Sequence, residues 1–86
     1  MFMDILRIAI LEFCRQRPDR SFCPSEVVRR LYPESWREFL PDVREKALEM
    51  YRAGEIVITQ KGKTIDPKIE PRGPIRISKP KSDKSS

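Results

Sequence analysis

The chain has 86 residues, which is enough for one hydrophobic core and too few for two. Apolar residues make up 38% and charged residues 36%, a balance that suits a small fold with a thin core and modest stability. The net charge of +5 is unevenly placed: residues 1–59 carry ten Lys/Arg against ten Asp/Glu, and residues 60–86 carry eight against three. The whole basic excess therefore lies in the C-terminal third, which points to a polyanionic partner or to a solubilising tail. The longest apolar run, Ile8 to Leu11, is far too short to span a bilayer. The opening Met-Phe-Met-Asp has neither the basic n-region nor the cleavage site of a secretory signal, so a cytoplasmic protein with no membrane partner is expected.

In chain order, the first expected element is a helix from Phe2 to Gln16. Phe2, Ile5, Leu6, Ala9, Ile10 and Phe13 fall on one stripe at helical spacing. Pro18 stops it, because the residue before a proline is pushed out of the α region. Ile8 and Leu11 lie off the stripe; they are either covered by the C-terminal segment or form an exposed contact site. Ser21 to Cys23 reads as a brief extended piece. Pro24 then opens a second helix at its first position, where a missing N–H costs nothing, and Pro33 ends it by Tyr32. Glu26 in the first turn favours the same start.

The third helix has two candidate starts, the Ser35-x-x-Glu38 capping-box spacing and Pro41 at a first helical position. An interior proline costs about 3 kcal/mol. The expectation is therefore a short turn over residues 34–39, a break, and a main helix from Pro41 to Ala53. Trp36, Phe39, Leu40, Val43, Ala47, Met50 and Tyr51 cluster on its core side. Gly54 sits where a left-handed cap belongs. Ile56-Val57-Ile58-Thr59 follows as a strand, Lys61-Gly62 as a tight turn, and Lys63 to Asp66 as the return, pairing Thr59 with Thr64 and Ile58 with Ile65. Ile75-Arg76-Ile77 adds a short strand. Residues 1–78 thus read as one domain, mainly α with a small β-hairpin or sheet: a winged helix-turn-helix-like plan of three helices and a C-terminal wing. Residues 79–86 (Lys, Pro, Ser, Asp) read as a disordered basic tail.

The side chains needed for catalysis are sparse. The chain has no histidine, the commonest general base, and three separated glycines make no phosphate-cradling loop. Cys14 and Cys23 stand nine apart with no His to complete a metal site, so reduced thiols and no metal or cofactor are expected. Cys23, beside Pro24 at a helix start, is the one thiol placed like a nucleophile; a neighbour to a helix cap is the plainer reading. A non-enzymatic module follows. Nucleic-acid binding has mixed support. The wing is basic, with Lys61 and Lys63 at its tip, Arg72 and Arg76 on the returning segment, and Lys79 and Lys81 beyond. The third helix points outward with Glu38, Asp42, Glu45 and Glu49, which phosphates would repel. The two readings are a weak, backbone-driven DNA-binding or accessory regulatory module, and a protein-interaction module using Ile8 and Leu11 or the acidic helix.

The order of elements, together with Ser21-Phe22-Cys23-Pro24-Ser25-Glu26-Val27-Val28-Arg29, Trp36-Arg37, Pro41-x-Val43-Arg44, Gly54-Glu55-Ile56, Thr59-Gln60-Lys61-Gly62 and Arg72-Gly73-Pro74-Ile75-Arg76, resembles a small bacterial family of unknown function whose domain looks like a winged helix. The resemblance spans roughly residues 5–77. It implies the fold rather than an activity, and its pattern carries no catalytic residue to transfer.

Overall fold

The structure, a computed structural model, describes residues 4–80. Helix α1 (Ile5–Gln16) is capped by Asp4, whose carboxylate accepts the Arg7 N–H at 3.2 Å. Phe2, expected at its start, lies outside the described residues. Helix α2 (Pro24–Leu31) begins with the proline at its first position. The Glu26 carboxylate reaches back to accept the Cys23 N–H at 3.1 Å, satisfying one of the donors a helix start leaves free. Helix α3 runs unbroken over Trp36–Arg52 with Pro41 inside it.

That continuity corrects the expected break before Pro41. The proline removes one backbone bond and crowds the carbonyl four residues back, at Arg37. Offsetting this, the first turns bring Trp36, Phe39 and Leu40 against the core. Phe39 stacks on Tyr32 at 4.4 Å, and the guanidiniums of Arg29 (4.2 Å) and Arg37 (4.7 Å) both lie over the Trp36 ring. Tertiary burial therefore overrides the local penalty.

The helix ends in a Schellman pair: Glu55 N–H donates to Met50 O at 2.9 Å and Gly54 N–H to Tyr51 O at 3.0 Å. Gly54 takes φ +79 there. The chain turns directly into β1 (Val57–Gln60), which pairs antiparallel with β2 (Lys63–Thr64) and β3 (Arg76–Ser78) in the order β2-β1-β3. The hairpin register is Thr59 opposite Thr64, as expected, and Ile65 N–H donates to Ile58 O just beyond the short β2. Phe22 adds a bridge to Ile77 on the far side of β3, with both N–H···O bonds formed at 2.8 and 2.7 Å. The fold is thus mainly α with a small three-stranded sheet, in a winged-helix-like arrangement.

The core lies between the inner face of the sheet (Ile58, Ile77) and the three helices, with Ile10, Phe13, Phe22, Val27, Val28, Val43, Ala47 and Met50 filling it. Among the described residues no polar or charged side chain is buried. The α1 stripe is rotated from the expected one. Ile10 and Phe13 are buried and Leu6 and Ala9 pack against the core as expected, but Cys14 and Leu11 join them while Ile5 is 49% exposed. Leu48, not counted on the core face of α3, is also buried.

Candidate functional site

The wing is built by its turn. Lys61 at φ 52 and Gly62 at φ 82 give the two consecutive left-handed residues that a right-twisted two-residue hairpin needs. Glycine adopts this freely, whereas a lysine there costs stability. Lys61 and Lys63 are both exposed at the tip, and neither has an ion-pair partner among the described residues. Arg72 is exposed on the returning loop. That loop is fastened by Gln60, whose side-chain amide donates to Arg72 O at 2.6 Å and Pro74 O at 3.1 Å, on either side of Gly73 at φ 81. The Thr-Gln-Lys-Gly and Arg-Gly-Pro-Ile-Arg motifs, separate in sequence, are therefore joined by one side chain.

Arg76 does not join the tip. It sits on β3, where its Nε donates to Ser21 Oγ at 3.0 Å and its Nη2 to Ser21 O at 2.9 Å. Lys79 is exposed just past β3, and Lys81 lies outside the described residues.

The charges of α3 are divided by face. Glu38, Asp42, Glu45 and Glu49 are all exposed and follow one outward line at helical spacing. The neighbouring basic line faces the loop after β2: Arg44 Nη2 donates to Pro71 O at 3.3 Å and Arg52 Nε to Pro67 O at 2.7 Å. A groove of about 610 Å³ lies between that line and the loop, with Leu48 and Ile75 at its floor and Arg37, Glu45 and Glu70 at its rim. Lys46 turns instead to Asp4 (2.8 Å) and Glu49 (3.1 Å). The helix thus spends its basic groups on its own fold and presents carboxylates to solvent.

The second set of expected contact residues separates. Ile8 is 49% exposed and, with Ile5, Ala9 and Leu31, lines a shallow apolar groove of about 240 Å³ between α1 and α2. Leu11 packs against the core. Of the two alternatives for Ile8, cover or exposure, the described residues leave it exposed to the same extent as Ile5. Both thiols are free. Burial pushes the Cys14 thiol up, away from the reactive range. The Cys23 sulfur lies 3.0 Å from Ser25 Oγ, beside the helix start it flanks.

One group of residues escaped the sequence reading. Arg17, Arg20, Ser21, Glu26 and Arg76 surround a polar hollow of about 460 Å³ at the sheet edge. Arg17 Nη1 donates to Glu26 Oε1 at 2.9 Å. The available signal was the alternation around Phe22: once Phe22 is buried in an extended piece, Ser21 must face outward with Arg76.

Among the described residues no group of three or more His, Cys, Asp or Glu could hold a metal ion, and no helix is long and apolar enough to cross a membrane. The model of a family described as "Protein of unknown function (DUF3253)" matches residues 3–80. No curated protein matches the chain.

Proposed function

The chain belongs to the DUF3253 family, and from that premise we propose that it is a non-catalytic winged-helix-like module that binds the phosphate backbone of DNA through its wing, as an accessory or regulatory protein of the cytoplasm. The observation that carries this reading is Lys61. It holds a left-handed turn position that Asn or Gly would fill with less strain, and it offers a cation beside Lys63 that has no ion-pair partner among the described residues. A costly backbone conformation kept at an exposed tip argues for the side chain's own use. Arg72 on the fastened loop extends the same charge, with Lys79 and Lys81 adding diffuse attraction. The acidic line of α3 argues against that helix entering a groove, since four carboxylates would meet phosphates. The binding is therefore wing-led, weak and nearly indifferent to sequence, on the order of 10⁻⁴–10⁻⁶ M as for non-specific complexes.

The test is charge reversal. Lys61→Glu with Lys63→Glu abolishes detectable duplex binding, whereas Glu45→Ala and Glu49→Ala tighten it slightly by removing repulsion. Retention of affinity in the double reversal overturns the reading. The alternative, a protein-interaction module, rests on the half-exposed Ile5 and Ile8. It predicts no DNA affinity even at low salt, and loss of a partner on Ile8→Asp.

A further inference from the structure

The outward face of the sheet is unlike that of α3. Thr59 pairs with Thr64 on one side and Arg76 on the other, so the three side chains lie in one cross-strand row. The row is turned away from the core, because the adjacent Ile58 and Ile77 are fully buried on the inner face. Beyond β3 Ser21 lies on the same outward face, diagonal to Arg76: the antiparallel bridge from Phe22 to Ile77 sets Ser21 opposite Ser78, and the Arg76 guanidinium reaches across to it. Hydroxyls and a guanidinium thus lead from the hairpin to the hollow, and among the described residues Glu26 is the only carboxylate that lines it.

Within the hollow the two hydrogen bonds to Ser21 fix the Arg76 guanidinium through Nε and Nη2, leaving Nη1 free to donate. A guanidinium already fixed in place loses little entropy on gripping an anion. Arg20 is exposed; its backbone N–H donates to Arg17 O at 3.2 Å, and its guanidinium has no hydrogen-bond or ion-pair partner among the described residues. Glu26 does not cancel the site. One of its oxygens is taken by the Cys23 N–H and the other by Arg17, and these contacts hold its carboxyl below the usual carboxylate range. Arg17 and Glu26 neutralise each other, and the charge of Arg20 and Arg76 remains.

We propose that this hollow is a seat for a single backbone phosphate of the same DNA strand that the wing attracts, gripped by Arg20 and Arg76 with the Ser21 hydroxyl alongside. The inference rests on the wing-led reading for its source of phosphate. Three strand spacings of about 4.8 Å separate the Ser21 edge from β2, roughly 14 Å in all. This matches about four phosphate-to-phosphate steps along one strand, each an axial rise of about 3.4 Å. One strand can therefore reach across the sheet face from seat to tip.

The seat and the wing are separable by experiment. NMR titration with inorganic phosphate reads the seat alone: amide shifts confined to Arg20, Ser21 and Arg76 and lost in Arg20→Ala support it, in wild type and in Lys61→Glu/Lys63→Glu alike. Shifts spread over all exposed lysines and arginines, or none, overturn it. Titration with a short duplex at several salt concentrations then reads the source. Arg20→Ala lowers the log–log salt slope by about 0.9, one phosphate contact, while the charge-matched Arg37→Ala leaves it unchanged. Glu26→Gln, which frees Arg17 from its pair, tightens phosphate binding. Equal effects of Arg20→Ala and Arg37→Ala mean diffuse attraction and overturn the seat. Phosphate binding in the hollow with no duplex binding overturns the DNA source and, with it, the wing-led reading, while the anion site stands.

Discussion

Two residues with positive φ carry most of the local argument. Gly54 lets α3 close its Schellman pair and pass straight into β1. No atom would crowd a Cβ there, so the cost of substitution is conformational. Gly54→Val is expected to destabilise by about 1–2 kcal/mol, since a β-branched residue tolerates this region poorly. Chemical denaturation reads it as a lower midpoint at unchanged slope; an unchanged midpoint contradicts the role. Lys61 is the mirror case, a residue that the turn does not want. Lys61→Asn is expected to stabilise the hairpin by roughly 0.5–1 kcal/mol, because Asn tolerates the left-handed region, and to weaken duplex binding at the same time. A variant that gains stability and keeps full affinity would remove the functional reason for the lysine.

At the level of elements, α3 shows where local rules stop. Pro41→Ala restores a helical N–H donor and removes the ring crowding, and is expected to raise stability by about 1–2 kcal/mol, less than the full proline penalty because the native packing has already accommodated it. Thermal unfolding of the variant checks this, and a lower midpoint would mean that Pro41 itself is needed in the groove beside Leu40 and Leu48. The sequence made the hairpin legible because β-branched spacing, the Lys-Gly turn and cross-strand chemistry all specify one register. It also gave the α2 boundaries, set by Pro24 and Pro33. The absence of a break before Pro41 is not legible locally because the compensation is long-range: Tyr32 from the end of α2 stacks on Phe39, and Arg29 covers Trp36. The rotated stripe of α1 has a similar cause. Asp4 is held by Lys46 of α3, and Arg7 clasps Glu55 through paired bonds at 3.0 and 2.9 Å. These exposed contacts add modestly to the burial of Ile10, Phe13 and Cys14, which sets the side of α1 that meets the core, and periodicity along α1 alone contains neither. The candidate site was half legible. Charge located the wing tip, but only the pairing of β1 with β3 and of Phe22 with Ile77 reveals that Arg76 belongs with Arg20 and Ser21.

For the whole molecule, the ion pairs that join its elements set its response to acid. Lys46 holds Asp4 low, Arg7 holds Glu55 low, and the Cys23 N–H followed by Arg17 holds Glu26 low. A carboxyl with a depressed folded pKa contributes stability that is complete above its unfolded value and is lost as pH falls through the folded one. Stability should therefore be flat from neutral pH down to about 5 and decline below about 4, where unfolded carboxylates titrate. Glu26→Gln should make the decline shallower. Each pair is well exposed, so the individual contributions are small, and a rise in melting temperature on acidification would contradict the scheme. The charge layout has the larger consequence: cations gather on the wing and the outer sheet face, and carboxylates line α3. The most direct measurement of that layout at work is the salt dependence of duplex binding by the intact chain between about 50 and 200 mM. Contacts from Lys61, Lys63, Arg72 and Arg76 predict a log–log slope of about −3 to −4, and a flat titration at about 50 mM salt would contradict the account.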